Sequence, residues 1–202
     1  MLSSTARNYC FASVWLILIT TTVYPQRNKQ AGTPMREPVK QIEAFRSKTN
    51  TVVVRGASHI GRMDGDTSCH ISIDVEELTD VNTGSKAYGI SISVDETTSS
   101  LTSTSFVDYD DIDPLIKGVD FMAKINSGCT KMDDYQAHYR DRSGLHISKI
   151  NAMSSGTEKY LMGVVSGVDK EAACFFSADS FPILGNMIKA AKRKIDLVKR
   201  AK

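Results

Sequence analysis

Two short segments of this chain match in kind and in context: Asp111–Ile116 (DIDPLI) and Asp179–Leu184 (DSFPIL). Each places an aspartate three residues before a proline, and each opens an amphipathic stretch. Aspartate accepts backbone N–H bonds at a helix start. Proline fits the first helical turn because its missing donor would go unpaired there anyway. Each segment also follows strand-like, turn-punctuated sequence. The spacing therefore predicts one unit used twice, several strands and then a helix. This constrains the architecture strongly and the chemistry hardly at all.

The first unit begins near Thr51, with Val52–Val54 as a short apolar strand. Cys69, Ile71, Ile73 and Val75 alternate with His70, Ser72, Asp74 and Glu76, the period of a half-buried strand. Asp80–Gly84 predicts a hairpin connection in which Gly84 is free to take positive φ. Tyr88, Ile90, Ile92 and Val94 mark a second long strand, and Thr97–Val107 a further one. Ile112, Leu115, Ile116, Val119, Met122 and Ala123 then share one helical face. In the second unit Tyr135, Ala137 and Tyr139 alternate with polar residues. Strands are predicted over Leu145–Met153, Tyr160–Ser166 and Ala172–Phe176. The last helix aligns Leu184, Met187, Ile188, Ala191, Ile195 and Val198. The fold class predicted is α+β, two repeats of about four antiparallel strands followed by one helix. The repeats are 49–127 and 132–202, in a single domain over 49–202. The helices are expected to cover one face of each sheet or to pack between the sheets.

The 202 residues suffice for one good-sized domain or two small ones. Residues 1–26 read as a signal peptide. Met1–Tyr9 is polar with one basic side chain, Arg7, and an apolar run, Cys10–Ile19, precedes Thr20–Thr22. That run is shorter than the roughly 20 residues of a membrane-spanning helix. The expected location is secreted or periplasmic, with membrane contact only through this segment if it is retained. An uncleaved anchor and an organellar transit peptide are the alternatives. Residues 27–48, with Pro34 and Pro38, read as a linker. A short helix over Glu37–Phe45 is suggested by the spacing of Val39, Ile42 and Phe45. Loss of the signal would leave Cys69, Cys129 and Cys174, hence at most one disulfide and one spare thiol. Cys69 shares strand parity with Ile71 and Ile73, which predicts a buried side chain.

Two blocks also carry a resemblance: Ser105–Phe121 (SFVDYDDIDPLIKGVDF), and Ala137–Arg140 (AHYR) followed by a glycine turn. They resemble a signature of uncharacterised exported bacterial proteins, over roughly Thr51 to the C-terminus. The resemblance implies export and no particular activity. In element order, strands then helix twice is similar to the Whirly and PUR folds that bind single-stranded nucleic acid. No motif of those families maps residue by residue onto this chain.

Three groups of residues are candidate sites. The acidic cluster Asp108, Asp110, Asp111 and Asp113 has enough carboxylates for a hard cation but lacks the EF-hand spacing. Its duplication at Asp179 favours helix capping, with Asp111 and Asp179 as the caps. The C-terminal helix carries Lys189, Lys192, Arg193, Lys194, Lys199, Arg200 and Lys202. Of these, Lys189, Lys192, Arg193 and Lys199 are candidate anion contacts, set against a plain solvated helix face. Among the histidines His59, His70, His138 and His146, a metal site would need His70 and His138 to meet near Asp74. No Cys-x-x-Cys or His-x-x-x-His spacing, nucleophile elbow or phosphate loop occurs, so no catalytic residue, metal or cofactor is predicted.

The function expected is an exported, non-catalytic binding or structural module whose partner is another protein or an envelope component. A net charge of +2 argues against nucleic acid. The alternative is a single-stranded nucleic-acid binder, which needs Tyr135 and Tyr139 exposed on a sheet near basic residues.

Overall fold

The structure is a computed structural model that describes residues 41–66, 68–132, 134–154, 157–167 and 171–201. The expected signal segment, residues 1–26, and residues 27–40 lie outside the described residues.

The duplication is present, and the fold is α+β. A short helix, α1 (Gln41–Arg46), precedes β1 (Val53–Asp64), β2 (Cys69–Asp80), β3 (Lys86–Glu96) and β4 (Leu101–Asp108). A single 3₁₀ turn then leads into α2 (Ile112–Lys124). The second unit repeats this with β5 (Gln136–Arg140), β6 (His146–Ser154), β7 (Thr157–Ser166) and β8 (Ala172–Ser177), a 3₁₀ turn, and α3 (Phe181–Arg200). Each set of four strands forms one antiparallel meander, β1-β2-β3-β4 and β5-β6-β7-β8. Local sequence explains the connections. At the β2–β3 turn Gly84 takes φ +68° and donates to Asp80 O. The Asp80 carboxylate accepts from the N–H groups of Asn82 and Thr83, an Asx-type turn.

Each helix reaches beyond its own unit. α2 lies on β5 and β6, α3 lies on β1, β2 and β3, and the two helices pack on each other. β3 also meets β7 and β8. The inward residues of both sheets therefore share one core: Ile71, Ile73, Ile90, Ile92 and Val94 from the first, Ile147, Met162, Val164 and Phe176 from the second. Leu115 and Val119 of α2, with Leu184, Ile188 and Ile195 of α3, close it. The approach is tight at glycine. A Cβ at Gly118 of α2 would lie 2.4 Å from the Tyr139 ring. Cys69 is buried as its parity requires, but as half of a disulfide to Cys174 with Cα atoms 5.5 Å apart. It fastens β2 to β8 across a sequence separation of 105. Cys129 is free and exposed.

Two expectations are corrected. Residues 41–48 are not linker. α1 docks on the outer face of the first sheet, where Ile42, fully buried, packs with Leu78 and Ala87. The Asp108 carboxylate accepts from the N–H groups of Gln41 and Ile42. Arg46 pairs with Glu76, and Lys48 with Asp80. The other correction concerns the caps: neither Asp111 nor Asp179 caps its helix. The 3₁₀ turn runs directly into each helix, so Asp111 and Ser180 occupy the N-cap positions with helical φ and ψ and no side-chain cap bond. A capping side chain needs an extended backbone to fold back over the first N–H groups. Asp179 sits within the 3₁₀ turn before α3.

Candidate functional site

The acidic cluster is dispersed by its partners. Asp108 holds α1, Asp111 pairs with Arg142 at 2.6 Å, and Asp113 pairs with Lys192 at 2.9 Å. The basic helix is partly neutralised in the same way. Lys189 bridges to Asp120 at 2.8 Å and Lys192 to Asp113, so both join α3 to α2. Lys199 Nζ lies 3.5 Å from the Tyr109 ring centroid, and the Tyr109 hydroxyl donates to Asp196 at 2.6 Å. Arg193, Lys194 and Arg200 remain exposed toward the free end of the helix. The four candidate anion contacts therefore do not converge: two clamp helices and one covers a tyrosine.

The histidines fall into separate pairs. His59 Nδ1 is 2.8 Å from Asp74, and His70 Nε2 is 2.9 Å from Asp95, both on the outer face of the first sheet. His138, on the other sheet, stands 3.0 Å from His146. His70 and His138 do not meet. Among the described residues no three His, Cys, Asp or Glu side chains converge as metal ligands. Burial, then the Arg140 and His138 charges, push the His146 imidazole down. A polar pocket of about 280 Å³ beside it is lined by Arg140, Asp141, His146 and Glu171. Asp141 there is engaged by the turn, accepting from the Ser143 and Leu145 N–H groups.

A more apolar surface lies elsewhere. Between β1 and the last turns of α3 runs a groove of about 270 Å³. Its floor is Val75 and Tyr88, one wall is Gly56–Ser58, and the other is Lys194, Ile195 and Val198. The groove exists because β1 presents glycine and serine where α3 passes. Gly56 and Ser58 face inward, opposite Glu77 and Val75. Larger side chains would fill the space. Val54, two residues before Gly56 on the same face, is 54 % exposed. Most of the polar side chains around it are engaged. Glu77 binds Lys86, which holds its carboxyl below the usual range. Burial and then the Glu77 charge push the Tyr88 phenol up, so it stays protonated at neutral pH. Lys194 is exposed at the rim. No family model matches the chain, and no curated protein matches it. The likeness to exported bacterial proteins therefore rests on the two blocks quoted above.

Sequence reasoning missed the groove because it is made by small residues in a strand with no alternation to mark it. Another residue it missed is Lys149. Lys149 is buried, its Nζ donates to Ile125 O at 2.6 Å and to Ala123 O at 3.3 Å, and burial pushes its pKa down. It terminates α2 by satisfying end carbonyls, a structural role.

Proposed function

We propose that this protein is an exported, non-catalytic binding module that takes its ligand in the groove between β1 and α3. The observation that carries the reading is the groove itself. It is an open apolar slot, and its inner acid is already paired with a lysine, which leaves binding surface rather than a nucleophile beside a base. Export is supported by the Cys69–Cys174 disulfide, because such bonds persist mainly in oxidising compartments. The nucleic-acid alternative loses its stacking surface. Tyr139 turns inward against Gly118, and the Tyr135 hydroxyl is buried.

The test uses substitution at Gly56. A Cβ there meets only Glu77 O at 3.9 Å and Glu77 Cβ at 4.0 Å, ordinary contact, so a larger side chain enters the groove without straining the strand. A dansylated dodecanoate should bind the wild-type protein, and Gly56→Leu should weaken it by about tenfold or more. Equal binding by the variant would sink the proposal, as would a wild-type protein that takes up neither this probe nor an apolar peptide.

A further inference from the structure

The same groove lies beside an open sheet edge, and the geometry points to a mode of binding: an extended acidic–apolar peptide segment added as a fifth strand along Val53–Ser58. This inference rests on the groove being the ligand site and adds the class of partner. Among the described residues β1 is an edge strand, hydrogen-bonded to β2 alone. Its first half is regular, and the register shifts only between His59 and Gly61. Val54, Arg55, Gly56 and Ala57 are all exposed. Val81 N–H donates to Val52 O, which fixes the phase of the ladder. Even-numbered residues of this stretch bond to β2, and Val53, Arg55 and Ala57 turn their N–H and C=O groups outward. An unpaired row of this kind is a template for another strand. Natural edges are commonly blunted by proline, a bulge or a covering element; among the described residues the register shift of β1 comes after this stretch, which holds no proline.

Strand addition uses main-chain bonds for affinity and pockets for alternate side chains for selectivity. The groove lies on the inner face beside this edge, where every second side chain of an added strand would point. Val75, Ile195 and Val198 suit apolar side chains at those positions. Charge selects the partner. Lys194 lines the groove, and Lys199 lies 5.6 Å from the Tyr88 ring. The nearby acids, Glu77 and Asp196, are already engaged by Lys86 and the Tyr109 hydroxyl. The rim is therefore net cationic. A second copy of β1 would bring a second basic helix end with it, whereas acidic residues flanking apolar ones complement the rim.

A fluorescent Glu-Val-Glu-Val-Glu-Val-Glu peptide tests this against the full oxidised chain. The wild-type protein should bind it, about tenfold more tightly than the Lys-Val counterpart, and more weakly as salt rises. Methylation of alternate peptide nitrogens should abolish binding, because it removes the donors that face β1. Ala57→Pro should do the same while leaving the melting temperature close to wild type, since proline is tolerated where an edge N–H faces solvent. Peptide binding that survives backbone methylation, and survives Ala57→Pro in a folded variant, would overturn strand addition. So would binding of the dansylated dodecanoate, blocked by Gly56→Leu, with no binding of the peptide; that result would leave the groove reading standing. Failure of both probes on the wild type would overturn both.

Discussion

Gly89 on β3 should not tolerate even a methyl group, and the reason is specific enough to measure. A Cβ at Gly89 would lie 2.2 Å from Ile42 Cδ1 and 2.3 Å from Val107 O. The first contact can be relieved by moving a side chain, but the second is to backbone in the adjacent strand. Overpacking of this kind costs about 1–3 kcal/mol. Ile42→Ala acts from the other side. It removes three buried carbons at about 0.8 kcal/mol each and leaves a cavity, within the usual range of about 2–5 kcal/mol. The two changes should not add. With Ile42 shortened, the new methyl group still meets the Val107 carbonyl but fills part of the vacated space. The double variant should therefore be more stable than the sum predicts by about 0.5–3 kcal/mol. Urea denaturation of the four proteins gives the cycle, and amide exchange at Gln41 and Ile42 shows whether α1 leaves while the sheets persist. Near-neutral behaviour of Gly89→Ala, or strict additivity, would refute the placement of Ile42 over Gly89.

Two further results are expected. Protein recovered from its producing cell should have Cys69 and Cys174 oxidised, and replacing both with alanine should lower stability by up to about 4–5 kcal/mol, the loop-entropy value for so long a separation; a change below about 1 kcal/mol, or reduced thiols in the recovered protein, would count against the bond. The hydrogen bond from Lys48, reinforced by Thr83, Thr51 and Asn82 against partial burial, lowers the Asp80 carboxyl to about 2. Its folded pKa lies below its unfolded value, so its contribution is complete above about pH 4 to 5 and is lost as pH falls toward 2; thermal melts across that range should show an acid limb that flattens in Asp80→Asn, and an unchanged limb would remove Asp80 as its source.

The strands that the sequence marks clearly are those with one face in the core and one in water. β2 alternates because Ile71, Ile73 and Val75 face the helices while His70, Ser72 and Asp74 face outward. β1 escapes the same reading beyond Val54. It lies at an edge, its inner face opens into the groove, and the irregularity at His59–Gly61 reverses its parity. The docking of α1 was equally hidden. It depends on a glycine in β3 and on Asp108, which serves a helix start 66 residues earlier rather than the one beside it. Lys189 and Lys192 look like a free cationic face until α2 is brought alongside with Asp113 and Asp120. Local pattern records the period and the turns. It does not record which element a charge will face once the helix of each unit crosses to the other sheet.

The most direct test of the groove as the ligand site is a two-dimensional amide NMR titration of the oxidised protein with the dansylated dodecanoate. The account predicts shifts confined to Gly56, Ala57, Ser58, Tyr88, Lys194, Ile195 and Val198, absent in Gly56→Leu. Shifts centred instead on Arg140, His146 and Gly167, with β1 and α3 unmoved, would contradict it.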